Sequence, residues 1–280
     1  VSGVLVVRSS AFGKNAPRNS HKSNFANAGI IMPSIGHLCG VPIRRRSVKR
    51  ELILVMPVYN EAQCIRDTVL SWRDALSGLG IDFRMIVIND GSKDDTPRVL
   101  EAFKGDPRVE VVDKPNSGHG PTILTGYRMA VEDAEWVFQV DSDGEMGPES
   151  FGGLWEKRGG YDALFGVRTG REQSAARALI SAVSRATVRL AFGSGVVDVN
   201  TPYRLMRAEI LGRIIERIPP GTFAPNVIIA GAFARASARI LNVPVLHTGR
   251  RTGSVSIVRW KLWRAAVVSF LQTLRCRPKV

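Results

Sequence analysis

Two aspartates on either side of one serine, Asp141-Ser142-Asp143, stand directly after the apolar run Trp136 to Val140. Carboxylates so spaced at the carboxyl end of a buried strand can share one divalent cation, and a cation there is well placed to hold a diphosphate. Glu145 adds a third oxygen donor on the same turn, and Gly144 lets the backbone fold tightly enough for all three to face one point. Hard oxygen donors suit Mg²⁺ or Mn²⁺, which keep positions open for substrate phosphate. The competing possibility is a pair of exposed turn acids, since an isolated Asp-X-Asp occurs in many solvated loops.

Other polar residues follow neighbouring apolar runs. Pro57-Val58-Tyr59-Asn60-Glu61 comes after Leu52 to Met56, and Asn89-Asp90-Gly91-Ser92 comes after Met85 to Ile88. Asp90 is either a turn residue, with Asn89 closing the turn through its side chain, or an acceptor for a nucleobase N–H. Glu61 either favours the first turn of the next helix or takes both hydroxyls of a ribose, with the flat face of Tyr59 beside it. Asn116-Ser117-Gly118-His119-Gly120 is a flexible turn at a helix N-terminus, where free backbone N–H groups attract anions. His119 reads as loop packing or a phosphate contact.

The elements that must position these residues are legible from periodicity. Continuous apolar runs that end at Pro57 and at Asn89 read as strands buried on two faces, and Ile65, Val69, Trp72 and Leu76 give Ala62 to Leu79 a helical period. Asp94-Asp95-Thr96-Pro97 opens the next helix with a capping side chain and an early proline. Val109 to Val112 is a short strand, and a helix follows from Pro121 to Glu132. Trp136 to Val140 and Ala163 to Val167 complete the expected sheet. Strands alternating with helices predict an α/β fold with an open, mostly parallel sheet flanked by helices, and ligands in such sheets bind at the carboxyl ends of strands. After Val167 the pattern becomes helical, over 175–192, 207–217, 226–238 and 255–275.

The chain has 280 residues, 39 basic and 25 acidic, for a net charge of +14. Nine of the basic residues and none of the acidic ones fall in residues 1–50, leaving +5 for residues 51–280. That basic, Ser- and Asn-containing segment predicts a disordered arm. It is open to three readings: a targeting peptide, a basic arm for anionic lipid or nucleic acid, or residues upstream of the true start, since the chain opens on Val1. Cys39, Cys64 and Cys276 have neither metal-ligand nor disulfide-framework spacing, which points to a reducing compartment. No apolar stretch reaches the roughly 18 to 20 residues of a spanning helix.

In order and spacing, the chain from Glu51 to about Ile257 resembles the family 2 glycosyltransferases of GT-A fold, within them the dolichyl-phosphate mannose synthase-like group of polyprenyl-phosphate sugar synthases. The resemblance implies a Rossmann-like GT-A domain over 51–255 with a helical C-terminal part; composition sets the arm, 1–50, before it and an amphipathic basic helix, 256–280, after it. It implies that Pro57, Tyr59, Glu61, Asp90, Asn116, Gly118 and Ser142 bind the nucleotide-sugar donor. Asp141, Asp143 and Glu145 would hold Mg²⁺ or Mn²⁺ as a DXD motif, with Glu145 where the group often has a Gln ligand. Arg168 and Asp198 fall at positions expected to act in catalysis. Arg177, Ser181, Arg204 and Arg251 fall where acceptor or phosphate is contacted. Asn200-Thr201-Pro202 replaces the group's usual Ser-Gly, and Arg251 to Ser256 lacks its usual Lys.

The function so implied is inverting transfer of a sugar from a UDP- or GDP-sugar to a polyprenyl (dolichyl or undecaprenyl) phosphate. The alternative is a family 2 enzyme with a hydroxyl acceptor in glycolipid or polysaccharide synthesis, for which Asp198 is the best-placed base. Trp260, Leu262, Trp263, Val267, Phe270 and Leu271 interleave with Arg259, Lys261 and Arg264, as in an interfacial helix. They place the protein at the cytoplasmic face of a membrane, or else mark a helix packed on the domain. A nucleic-acid partner is not expected, because the charge excess sits in the arm and the core lacks stacking aromatics or a recognition helix. A dinucleotide oxidoreductase would need a Gly-rich turn where Pro57 to Glu61 stand.

Overall fold

The structure, a computed structural model, describes residues 49–169 and 195–247. The arm, the expected helices over 175–192 and 255–275, and the candidate residues Arg177, Ser181 and Arg251 lie outside the described residues.

Among the described residues seven strands form one sheet: β1 (Arg50–Val58), β2 (Phe83–Asn89), β3 (Val109–Asp113), β4 (Ala134–Gln139), β5 (Ala163–Thr169), β6 (Arg204–Arg207) and β7 (Ile240–Leu246), in the order β3-β2-β1-β4-β6-β5-β7. All neighbours are parallel except β6, which runs antiparallel to both β4 and β5. Six carboxyl ends and the start of β6 therefore share one edge. Alternate residues of β1 and β2 face opposite sides and both sides are packed. Ile53, Val55, Ile86 and Ile88 join one core, and Leu52, Leu54, Met56, Met85 and Val87 the other.

Helices α1 (Ile65–Gly78), α2 (Thr96–Leu100) and α4 (Phe151–Lys157) feed the second core. Helices α3 (His119–Ala130), α5 (Ala208–Ile215) and α6 (Pro225–Arg235) feed the first. In α1 the buried Ile65, Val69, Trp72 and Leu76 are the residues whose period marked it. Helix α3 lies so close to the sheet that a Cβ on Gly126 would stand 2.3 Å from Val55 Cγ1. Because α1 and α3 cover opposite faces, the chain reverses direction across the sheet beside β1 and β4, and a crevice opens at their carboxyl ends.

Two expectations are corrected. Strand β1 does not stop at Pro57 but continues through Val58. Along β1, Asp90 N donates to Val58 O on the β2 side, whereas Val140 N donates to Val55 O on the β4 side. The alternation points the missing N–H of Pro57 toward β4, beyond the last β1–β4 pair, Val55 with Gln139, so no ladder bond is lost. Nor does β5 complete the sheet. Strand β6 is only four residues with arginine at both ends, and β7 is an edge strand containing Pro244; neither carries a strong strand pattern.

Candidate functional site

At the carboxyl edge the loops after β1 and β2 are laced into one wall. Asn60, held at a φ of 55° despite its side chain, donates its backbone N–H to Ser92 Oγ at 2.9 Å, and its Oδ1 accepts from Lys93 N at 2.7 Å. Glu61 N donates to Thr96 Oγ1 at 2.9 Å, and Ala62 N to Asp94 Oδ2 at 3.2 Å. Asp94 Oδ1 also accepts from the amide of Thr96, the first residue of α2, at 3.0 Å, whereas the N-cap residue Asp95 makes no side-chain capping bond. Asn89 closes its turn as its type predicts, accepting from Ser92 N at 3.1 Å. Gly91 is required here: its φ is +66°, and a Cβ would stand 2.7 Å from Asn116 N.

Asp90 organises the loop before α3. Its carboxylate accepts from Lys114 Nζ, from Ser117 N at 2.9 Å and from Gly118 N at 2.9 Å, while Asn116 Nδ2 donates to its carbonyl at 2.8 Å. Asp90, Asn116 and Gly118 are thus brought together, and the loop that sequence assigns to the donor is built around the aspartate. Burial alone would raise the Asp90 pKa. The Lys114 ammonium, the two amides and the Thr122 hydroxyl outweigh it and hold the carboxyl below its usual range. A depressed folded pKa means stability that is complete above the unfolded value of about 4 and lost as pH falls through the folded one. Asp90→Asn should therefore flatten the acid limb of unfolding free energy against pH, as read by urea titrations from about pH 6 downward. An unchanged acid limb would contradict this account.

Asp141 and Asp143 stand on one turn, two and four residues past the end of β4. Asp141 Oδ1 accepts from Gln139 Nε2 at 3.2 Å and lies 3.6 Å from His119 Nε2. Asp143 Oδ1 accepts from Glu145 N at 3.1 Å. Glu145 Oε2 is 2.8 Å from Nε2 of His247, the residue after β7. Among the described residues, no three His, Cys, Asp or Glu side chains are grouped as a ready metal site. The two aspartates still offer an oxygen-only donor pair in the crevice, which fits Mg²⁺ or Mn²⁺. Ser142 is buried, and its carbonyl accepts a 3.6 Å contact from the Cys64 thiol, which lies 3.3 Å from Glu61 Oε2. The β1 loop and the aspartate turn are joined through that residue.

Across β6 lies the other wall. Gln139 and Phe165 are both in register with Arg204, so Asp141 and Arg168 emerge from the same edge on either side of it. Arg168 donates a fork to Asp198, Nε to Oδ2 at 2.7 Å and Nη2 to Oδ1 at 2.9 Å. The loop leading to Asp198 is fixed by Asn242 of β7, which accepts from Val197 N at 3.0 Å and donates to Gly195 O at 2.8 Å.

Arg204, expected to contact phosphate, is instead fully buried. It donates to Thr201 O at 2.8 and 2.5 Å, to Val199 O at 3.3 Å and to Asn226 O at 3.0 Å, and its guanidinium lies 5.2 Å from the Phe165 ring centroid. Burial lowers its pKa, against the pull of Asp198 and Asp141. It is a structural cation that binds the loop before β6 to α6. Arg204→Ala would strand three buried carbonyls and should cost about 2–4 kcal/mol of stability in urea unfolding. A loss below about 1 kcal/mol would refute that role.

Gln139, Lys114, Tyr127, Asn226, Asn242 and His247 were not found by sequence reasoning. For two of them a signal existed: Gln139 interrupts the apolar strand and Asn226 the apolar helix, and a polar side chain in such a run requires a buried partner.

The family profile for glycosyl transferase family 2 matches residues 53–214. Undecaprenyl-phosphate 4-deoxy-4-formamido-L-arabinose transferase of Pectobacterium atrosepticum is 29% identical over 209 residues, 73% of this chain. Its counterpart in Klebsiella pneumoniae is 30% identical over 208 residues, again 73% of the chain. The matches span 62% of the length of each of these relatives. Glucosyl-3-phosphoglycerate synthase from Mycobacterium tuberculosis, solved with phosphoglyceric acid, superposes with a TM-score of 0.58 at 19% identity, over 81% of this chain and 80% of that one. The same enzyme solved with Mn²⁺, UDP and glucosyl-3-phosphoglycerate gives the same TM-score, 0.58. These likenesses bear out the GT-A arrangement of the sheet and its helices. With more than half of its length matched by the family profile, the chain belongs to glycosyl transferase family 2.

Proposed function

We propose that the protein transfers one sugar from a nucleotide-sugar to a polyprenyl phosphate, with inversion at the anomeric carbon. The observation that carries the choice of acceptor is the Arg168–Asp198 fork. Asp198 is the best-placed base for a hydroxyl acceptor, yet both of its oxygens are committed to one guanidinium. A phosphate oxygen is already ionised near neutral pH and needs no base, so a site whose carboxylate positions an arginine suits a phosphate acceptor. The names of the relatives from Pectobacterium and Klebsiella, both undecaprenyl-phosphate transferases, agree with that choice.

On this reading the nucleoside lies against the wall built by Tyr59, Glu61 and Asp90, with Pro57 at its base and the Asn116 to Gly118 loop beside it. Asp141 and Asp143 would hold a divalent cation, with Glu145 on the same turn. When bound, the cation neutralises charge on the leaving diphosphate. Arg168, held in one orientation by Asp198, offers its remaining N–H donors to phosphate. Arg177, Ser181 and Arg251 would line the acceptor side. Among the described residues no helix is long and apolar enough to cross a membrane. Contact with the lipid is assigned to the C-terminal basic, Trp-containing segment, at the cytoplasmic face.

The test is transfer of labelled sugar from a panel of UDP- and GDP-sugars into a solvent-extractable lipid, with Mg²⁺ or Mn²⁺ and polyprenyl phosphate. Metal-dependent lipid product of inverted configuration is expected. Metal-dependent nucleotide binding without lipid product would move the acceptor to a hydroxyl. A product retaining the donor's configuration would refute direct displacement.

A further inference from the structure

Beneath Asp141 lies a set of neutral polar groups that the transfer reaction does not touch. Gln139 of β4, Tyr127 of α3 and Asn226 in the first turn of α6 are all at most 4% exposed. Gln139 Oε1 accepts from Asn226 Nδ2 at 2.8 Å and from the Tyr127 hydroxyl at 3.0 Å, and that hydroxyl is 3.2 Å from Asn226 Oδ1. The outer end of the set is the 3.2 Å bond from Gln139 Nε2 to Asp141 Oδ1.

The direction of every bond follows from that end. An ionised carboxylate only accepts, so Gln139 must turn its amide nitrogen to Asp141 and its oxygen inward. The inward oxygen then needs donors, and Asn226 and Tyr127 supply them. Burial raises the Tyr127 pKa well above the usual phenol value, so its hydroxyl stays protonated and donating. The backbone at Asn226 is itself anchored, since its main-chain carbonyl accepts from Arg204 Nη1 at 3.0 Å. Side chains from two helices thus fix Gln139 of β4, and Gln139 alone of the three passes that order on to one oxygen of the Asp141 carboxylate.

We propose that Gln139 and Asn226 are positioning residues that fix Asp141 through its Oδ1, leaving Oδ2 for a divalent cation. The inference rests on the reading of Asp141 and Asp143 as a cation-holding pair. Groups that orient a metal ligand in this way are typically worth 10–100-fold in metal affinity. A freely rotating Asp141 would spend part of its binding energy on being ordered.

The measurement is titration of the full-length protein with Mn²⁺, following free Mn²⁺ by electron paramagnetic resonance, with UDP and with GDP present in turn. Gln139→Leu is expected to weaken Mn²⁺ binding about 10–100-fold and Asn226→Leu by a smaller factor. In an Asp141→Asn background neither change should weaken it further. Gln139→Met, nearer in volume, stands in should the leucine variant not fold. A purely structural pair would lower the denaturation midpoint and leave the Mn²⁺ affinity of the folded protein unaltered, which would overturn the proposal. Wild-type protein that binds no Mn²⁺ with either nucleotide would overturn the cation-holding reading, and this inference with it. Wild-type binding that Asp143→Ala abolishes but the Gln139 and Asn226 variants leave intact would overturn the positioning role alone.

Discussion

Asp143→Ala should lower the rate of sugar transfer by about three orders of magnitude while leaving the fold in place. The size follows from the work assigned to the cation: several kcal/mol of stabilisation of the charge that develops on the leaving diphosphate, at about 1.4 kcal/mol per tenfold in rate. The fold should tolerate the change because Asp143 is half-buried on a turn beyond β4 and belongs to neither hydrophobic core. The check is single-turnover transfer with saturating donor, beside a urea melt of the same preparation. A drop of less than about tenfold at saturating Mn²⁺ would remove Asp143 from the cation site.

The donor half of the fold was legible because its elements are long, apolar and locally consistent. Leu52 to Met56 and Met85 to Ile88 are continuous apolar runs of strand length, and each is followed by a polar loop. The convergence of those loops on the Asp141 turn follows from parallel connectivity, which the alternation of strands and helices already dictates. What remained hidden depends on partners distant in sequence. Strand β6 is too short to show a period, and its antiparallel insertion between β4 and β5 is decided by tertiary packing. The family position of Arg204 suggested a phosphate contact, but the carbonyls that claim it come from Val199, Thr201 and Asn226. His247 reaches Glu145 across 102 residues, and no local pattern anticipates such a pair.

Arg168 and Asp198 should separate the two acceptor chemistries. In the fork both carboxylate oxygens of Asp198 face one guanidinium, and the pair is only 14% and 20% exposed. If Asp198 positions Arg168, then Arg168→Lys loses the planar two-point geometry, and transfer should fall about 100-fold with little change in donor KM. Asp198→Asn keeps one acceptor for the guanidinium and should cost less, about tenfold, without moving the acid limb of the pH–rate profile. A base at Asp198 predicts the reverse order. Asp198→Asn would then lose about 10²–10⁴-fold and abolish the acid limb, and Arg168→Lys would be the milder variant. The comparison is informative because both variants act on one ion pair: a fold defect would depress both rates together, whereas the two chemistries invert their ranking. An Asp198→Asn enzyme that retains a tenth of its activity at unchanged pH dependence would place the negative charge of the acceptor in the substrate and not in the protein.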